Sequence, residues 1–385
     1  MSNLSDLLPA GAGGKQVDFV ASGSLTAGQA VALQSDGAVT AISASNYTDF
    51  IGVTDAVISD TETGSVTVRG GVVTNLTGLT SGSTYYVKTD GSFSADTFSI
   101  ADAALEKSLS TYYENDEPKD VAFNNDGTLM YVLGVQSVDR VYQYSLSTPF
   151  DVSTGFLGYG GDEAVYSFRI DAQDTFARGI AFSADGSKMF MTGIATSLVY
   201  EYDLPLPFDV ISAVYNSVSY YPGSIGQPQA LTFNNDGTKM YVVGTSTVYQ
   251  YSLTTGFDLS TASYDSVSFA AASQDSAIES VKFNSDGTKM YLAGTANNSV
   301  YQYSLSTAFD LSTTSYDSVS FSVSPIGAVP TGIAFNLDGS KMYITSNAPN
   351  NNVGAQATVY QYATVPGVLA GQALSSTSLN LSNDE

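Results

Sequence analysis

The chain has 385 residues, 43% of them hydrophobic, with 13 Lys and Arg against 37 Asp and Glu and a net charge of -24. This is long and apolar enough for a substantial core, while the acidic balance argues against a nucleic-acid partner, whose phosphates draw on basic patches. Cys, His and Trp are absent, which excludes disulfides and thiol chemistry and removes the commonest general base and transition-metal ligand.

Residues 1–14 read as an N-terminal arm. Leu7, Leu8 and Pro9 precede the flexible run Ala10-Gly11-Ala12-Gly13-Gly14, and the two leucines are the anchors by which such an arm orders on a neighbouring subunit. The stretch lacks the basic region and apolar core of a signal peptide, so Sec secretion is not expected. No apolar run approaches the roughly 20 residues that span a bilayer, so membrane insertion is not expected either.

Residues 15–100 carry the hairpin signature of a small all-β unit, in which alternating apolar segments meet Asp-Gly turns. Val17, Phe19 and Ala21 alternate with polar neighbours. Val31-Ala32-Leu33 leads to Asp36-Gly37, Phe50-Ile51-Gly52-Val53 follows, and Tyr85-Tyr86-Val87 precedes Asp90-Gly91.

Residues 101–363 hold a repeat. Asp-Gly pairs begin at Asp126, Asp185, Asp236, Asp286 and Asp338, a spacing of 50 to 59 residues. Self-similarity at this period with strand-like content predicts a propeller or array. Each unit offers four strand segments. The first ends in Phe, as in Ala230-Leu231-Thr232-Phe233. The second follows the Asp-Gly turn, as in Lys239-Met240-Tyr241-Val242-Val243. The third is Val248-Tyr249-Gln250-Tyr251, and the fourth Asp265-Ser266-Val267-Ser268-Phe269. A Phe-Asp pair joins the third to the fourth at Phe150, Phe208, Phe257 and Phe309.

The last copy ends at Val359-Tyr360-Gln361-Tyr362 without its Phe-Asp loop or fourth strand, whereas a spare strand, Leu105 to Tyr113, precedes the first copy. Pairing the two predicts a five-bladed β-propeller closed by strand exchange. The tail from Pro366 to Leu381 leaves the repeat and reads like the first unit. A module with adjacent ends can be inserted in a loop of another domain. The expected organisation is therefore an all-β chain with an arm at 1–14. A discontinuous β-barrel or sandwich-like anchoring domain at 15–100 plus 364–385 carries an inserted propeller at 101–363.

The flanking text resembles a domain of tailed-bacteriophage virion proteins, of tail-fibre and head-decoration type. The matching residues are Val17 to Leu25, Phe50 to Val53, Gly64 to Gly71, Gly78 to Val87 and Ala370 to Thr377. The repeats resemble the YVTN and WD40-like propeller class through Phe-x-x-Asp-Gly-x-x-Met-Tyr-Val, a likeness that speaks to fold rather than activity.

Candidate chemistry is sparse. Oxygen ligands cluster in the Asn-Asn-Asp-Gly turns at Asn124 and Asn234, but they lack the alternating carboxylates of a calcium loop, and a hairpin turn needing positive φ accounts for them. The Phe-Asp pairs read as Phe in a satellite core and Asp capping a turn. The Tyr-x-Tyr strands place both rings on one face, suited to packing between blades or, if exposed, to stacking on sugars. Acidic clusters occur at Glu114-Asn115-Asp116-Glu117 and Asp162-Glu163. Nothing in their spacing sets two carboxylates at the defined separation that glycoside hydrolysis needs. No phosphate loop or nucleophile motif is present. The sequence thus assigns no catalytic, cofactor-binding or metal residue, and names no binding residue.

Loops between the fourth strand and the next first strand vary most, at Tyr113–Lys119, Ile170–Arg178, Tyr221–Gln229, Ala270–Glu279 and Ser322–Pro330. The loop Ser346–Ala357 is the longest of its kind. Varied loops on a repeated scaffold suit display of a contact surface. The phage resemblance implies a non-enzymatic virion structural protein, a capsid decoration or head-fibre protein that attaches through its β-domain and displays the propeller outward. It would be a homo-oligomer, assembled in the host cytoplasm and placed on the virion surface, with the major capsid protein or tail proteins as partners. A tail-associated protein binding a receptor or a cell-surface glycan is the alternative, and a glycan hydrolase the third.

Overall fold

The computed structural model describes residues 15–43, 45–79, 81, 84–88, 91–94, 100–101, 103–111, 117–135, 139–157, 166–223, 225–347, 357–364 and 368–381. The N-terminal arm, the acidic residues Glu114, Asp116, Asp162 and Glu163, and most of the loop Ser346–Ala357 lie outside the described residues. Everything regular among the described residues is β-structure or one-turn 3-10 helix, in agreement with the all-β expectation.

The chain divides into two compact units, 1–99 with 365–385, and 100–364. The strands of the first part are β1 (Gln16–Val20), β2 (Ala30–Leu33), β3 (Val39–Ala41), β4 (Phe50–Thr54), β5 (Thr63–Val68), β6 (Val72–Val73), β7 (Thr84–Val87) and β8 (Phe93–Ser94). β9 (Ala104–Ser110) opens the second unit. It is followed by β10 (Pro118–Phe123), β11 (Leu129–Gly134), β12 (Arg140–Leu146), β13 (Gly155–Phe156) and β14 (Ser167–Arg169). The next repeat is β15 (Ala177–Phe182), β16 (Lys188–Gly193), β17 (Leu198–Asp203) and β18 (Val214–Tyr220). Then come β19 (Pro228–Phe233), β20 (Lys239–Gly244), β21 (Thr247–Leu253) and β22 (Ala262–Ala270), and β23 (Ile278–Phe283), β24 (Lys289–Gly294), β25 (Ser299–Leu305) and β26 (Thr314–Ser322). β27 (Val329–Phe335), β28 (Lys341–Asn347) and β29 (Thr358–Ala363) complete this unit, and β30 (Val368–Ala373) and β31 (Leu379–Leu381) return to the first.

In the unit formed by both chain ends, two antiparallel sheets run β1-β5-β4-β2-β3 and β6-β31-β30-β7-β8. One core lies between them, built on Ala30, Phe50, Val53, Val87, Ala370 and Leu379. A second, around Leu25, Val31, Ile58 and Val66, covers the other face of the first sheet. Hence β2 and β4 are buried on both faces and read as continuous apolar runs instead of alternating ones. The bridge from Ala21 to Val39 touches the opposite sheet edge without extending into a ladder.

The 100–364 unit holds five sheets. Four run β15-β16-β17-β18, β19-β20-β21-β22, β23-β24-β25-β26 and β27-β28-β29-β9. The first runs β10-β11-β12, with the short strands β13 and β14 both on β12. The first strands pack against one another in the order β10, β15, β19, β23, β27 and back to β10. Backbones approach closely there. A Cβ on Gly179 would sit 2.8 Å from Ala230 Cα, and one on Gly332 2.5 Å from Asp120 Cα.

These observations correct the expected closure. Among the described residues all seven sheets are open, and none closes into a barrel or a propeller. The physical reason is the nature of the joints. Ladder hydrogen bonds run only inside each sheet, and between sheets the contacts are side chains, capped turns and close backbone approach.

Candidate functional site

The recurring motifs of the 100–364 unit resolve into structural parts. In the Asp126-Gly127 turn, Gly127 has φ +70° and Asp126 accepts the Thr128 N–H at 2.9 Å. Asn124 Oδ1 accepts the Leu129 N–H at 2.9 Å, and Asn125 Nδ2 donates to Ala184 O of the next sheet's turn at 2.8 Å. The Asn234 turn repeats this pattern. These asparagines are therefore occupied by hairpins and their neighbours, as the turn reading expects. Among the described residues no group of three or more His, Cys, Asp or Glu is placed to hold a metal ion.

Each Phe-Asp pair also builds a joint. Asp151, Asp209, Asp258 and Asp310 accept the N–H two residues on and cap one-turn helices at Val152–Thr154, Val210–Ser212, Leu259–Thr261 and Leu311–Thr313. Phe150, Phe208, Phe257 and Phe309 have φ near +60°. Each ring lies on the turn glycine of its own sheet and the Phe N–H returns to that glycine's carbonyl. The Phe carbonyls accept tyrosine hydroxyls from the preceding sheet: Tyr131 to Phe208, Tyr241 to Phe309 at 2.5 Å, and Tyr343 to Phe150 at 2.7 Å. Burial pushes these three hydroxyls far above the ordinary tyrosine range. The Tyr-x-Tyr strands likewise bury Tyr142, Tyr144, Tyr200, Tyr202, Tyr301 and Tyr303.

The groups not absorbed in this way lie where the first strands begin. All five first strands carry a β-bulge there, between Pro118 and Asp120, Ala177 and Ile180, Pro228 and Ala230, Ile278 and Ser280, and Pro330 and Gly332. A bulge takes a residue out of the ladder and re-aims its side chain. The bulges hold Lys119, Arg178, Gln229, Glu279 and Thr331, all polar.

Their side chains meet across the ring of first strands. Arg178 Nη1 on β15 lies 3.9 Å from Glu279 Oε2 on β23. Three residues further along β23, Lys282 Nζ lies 3.8 Å from Asp120 Oδ2 on β10. Neither pair belongs to neighbouring sheets. Asp120 is buried, and its two oxygens accept the backbone N–H groups of Val121 at 2.9 Å and Ile180 at 3.0 Å. Burial raises its carboxyl above the ordinary value against the pull of Lys282. Burial likewise raises Glu279, with Arg178 and Lys119 opposing.

Sequence reading stopped at the loops that lead into these residues. The available signal was the position four before each repeat Phe, which is polar in all five copies. Glu117, the one described member of its acidic cluster, pairs with Lys119 at 2.9 Å. A recess beside Asn234, Lys239, Gln250 and Phe309 is lined by groups already engaged in a joint.

No family model matches the chain, and no curated protein matches it. Among the solved structures that match it are two of low sequence identity. One is a functionally unknown protein from Desulfotomaculum acetoxidans DSM 771, at 15% identity and a TM-score of 0.40, covering 69% of this chain and 76% of that chain. The other is the beta-propeller domain of Myceliophteria thermophila Cps50 (Swd1), at 12% identity and a TM-score of 0.38, covering 69% of this chain and 87% of that chain. Likenesses at this level carry no argument about fold or function. The expected likeness to tailed-phage virion proteins does not hold, since no family model or curated relative supports it and neither structure is described as a phage protein. Among the described residues no helix is long and apolar enough to cross a membrane.

Proposed function

We propose that this is a non-enzymatic structural protein of a larger assembly, in which the unit built from both chain ends attaches and the 100–364 unit presents a contact surface. The observation that carries this reading is a division of labour within the repeats. The recurring Tyr, Gln, Asp and Phe residues are engaged in joints between sheets. The loops leading into the first strands vary instead, and three of them expose an apolar side chain to solvent. Phe176 is 54% exposed, Tyr221 59% and Ile326 36%. Variable loops on a rigid scaffold are where contact residues concentrate, and these three loops each carry one exposed apolar side chain.

Fractionation of the native source tests the reading. The expected result is that the chain cosediments with a particle or large assembly in fixed stoichiometry, and that alanine at Phe176 and Tyr221 leaves cosedimentation intact while a partner contact is lost. A chain found only free, with turnover of a substrate, overturns it.

A further inference from the structure

The turn that joins the third strand to the fourth occurs in four repeats, and its outward side chains can be compared copy by copy. Three exposed positions hold Thr255, Ser260 and Ser263 in the third repeat, and Thr307, Ser312 and Ser315 in the fourth. The second repeat holds Leu206, Ile211 and Val214 there, 59%, 43% and 56% exposed. The first holds Thr148 and Ser153, then Phe156, 45% exposed. Folding does not ask for these apolar groups, since the same turn forms with hydroxyls in their place. Ile211 even forgoes a bond, because Ser153, Ser260 and Ser312 each donate Oγ to the capping aspartate at 2.6 or 2.7 Å. Single exposed apolar side chains are ordinary, but these four gather at one joint. Val210, beside Ile211, donates its N–H to Gln143 Oε1 at 2.9 Å, and two residues further along β12 Ser145 pairs with Phe156. Val214 pairs with Asp203 at the base of the turn that carries Leu206. Carboxylates surround the group. Asp203 and Asp209 lie in this turn, and Asp126 and Asp185 lie in the Asp-Gly turns against which Phe150 and Phe208 are bonded. None of the four forms a salt bridge among the described residues, whereas Lys107 and Lys188 at this end are taken by Asp151 and Glu201.

We propose that Phe156, Leu206, Ile211 and Val214 dock a segment of another protein that carries large aliphatic side chains flanked by Lys or Arg. The apolar side chains fix the place, because only this joint of the repeat carries them together. The uncompensated carboxylates fix the sign of the partner, because cations beside its apolar residues complement Asp126, Asp185, Asp203 and Asp209. A second copy of this chain is disfavoured as the occupant, since it brings a net charge of -24 to a surface that is itself acidic. The patch lies at the strand ends opposite those that lead into Phe176 and Tyr221. The inference therefore goes beyond the attachment-and-display reading and does not depend on it.

Titration calorimetry of the full chain at low ionic strength tests it with three synthetic peptides. The first has a Leu-Ile-Leu core flanked on each side by lysines, the second has serines in place of the core, and the third has glutamates in place of the lysines. The expected result is saturable binding of the first at about 1 mM or tighter, weakening as salt is added. The serine peptide should bind about tenfold more weakly, and the glutamate peptide not at all. Leu206→Thr combined with Ile211→Ser and Val214→Ser gives the second repeat the residues of the third, and should weaken binding of the first peptide about tenfold. Asp203→Ser, which introduces the residue that the third repeat has as Ser252, should weaken it about threefold. Phe176→Ala and Tyr221→Ala should leave it unchanged. Absence of binding up to about 10 mM, equal affinity for the glutamate peptide, or unchanged affinity in the folded triple variant or in Asp203→Ser would overturn the proposal. So would a dimer in sedimentation velocity that the triple substitution abolishes, which would make a second copy the occupant.

Discussion

Gln250 and Leu311 belong to neighbouring sheets, and the Gln250 side-chain carbonyl accepts the Leu311 backbone N–H at 3.0 Å. The same bond links Gln143 to Val210, Glu201 to Leu259 and Gln361 to Val152. The fifth position breaks the series. The last repeat has no Phe-Asp turn to follow Gln302, and Gln302 Oε1 is buried without a hydrogen-bond partner. The two glutamines share their other bond, since Gln250 Nε2 donates to Asp265 at 2.8 Å and Gln302 Nε2 to Asp317 at 2.9 Å. Gln250→Leu should therefore cost more than Gln302→Leu by about 1–3 kcal/mol, the penalty of orphaning a buried N–H. Chemical denaturation of both variants measures the difference, and equal losses would show that the joint bond is not what Gln250 contributes.

Gly237 and Gly223 separate two reasons for glycine. Both have positive φ, +71° and +80°. A Cβ on Gly237 would lie 2.3 Å from a Phe257 ring carbon, whereas one on Gly223 meets nothing within 4 Å. Gly223→Ala should cost the left-handed backbone term alone, about 1–2 kcal/mol. Gly237→Ala adds displacement of the Phe257 ring from its seat, by about 1–3 kcal/mol more. Thermal melts of the pair check the order.

Buried tyrosines set an alkaline limit. Burial raises the Tyr131, Tyr241 and Tyr343 hydroxyls above their ordinary value near 10. A raised folded value means that their stabilisation is complete below the unfolded value and is lost as pH rises above about 10. Melting temperature should hold to that point and then fall steeply. Tyr241→Phe should lower stability by about 1 kcal/mol at neutral pH through the lost bond to Phe309 and flatten the alkaline fall. Phe190 already occupies the equivalent position in the second repeat and packs on Phe257, so the substitution is tolerated sterically.

Acid acts through different groups. Burial alone would raise Asp265, but hydrogen bonds from Lys239, Ser252 and Gln250 outweigh it and hold the carboxyl below its ordinary range. Asp317 is held down in the same way by Ser304, Gln302 and Lys289. Depressed folded values place their stabilisation above the unfolded value near 3.8 and remove it as pH falls further. Asp265→Asn should lower the neutral melting temperature and reduce its dependence on pH between about 4 and 2. An acid limb as steep as that of the unmodified chain would rule out the Asp265 contribution.

Much of this was legible in residue order. Asp126-Gly127 and its copies announce tight hairpins because Gly tolerates positive φ and Asp bonds to the N–H two residues on, both local facts. Phe150-Asp151 and its copies announce a capped turn for the same reason. The spare strand was legible too, since Ala104–Ser110 completes the last sheet by pairing with Thr358–Ala363; what repeat counting does not say is whether the edges of separate sheets pair, and among the described residues they do not. The first repeat's fourth strand is divided between Gly155–Phe156 and Ser167–Arg169. The polar positions Lys119, Arg178, Gln229, Glu279 and Thr331 differ in type, so no motif marks them. Their exposure to one another depends on bulges that exist only once the register is known.

Cross-linking mass spectrometry of the chain in its native assembly tests the division into attaching and presenting units most directly. The predicted result is that links to the assembly's most abundant component fall in 15–94 and 368–381, while residues near Phe176, Tyr221 and Ile326 link only to a different partner or to none. Links to the main component concentrated on the 100–364 unit, with none on the other, would contradict it.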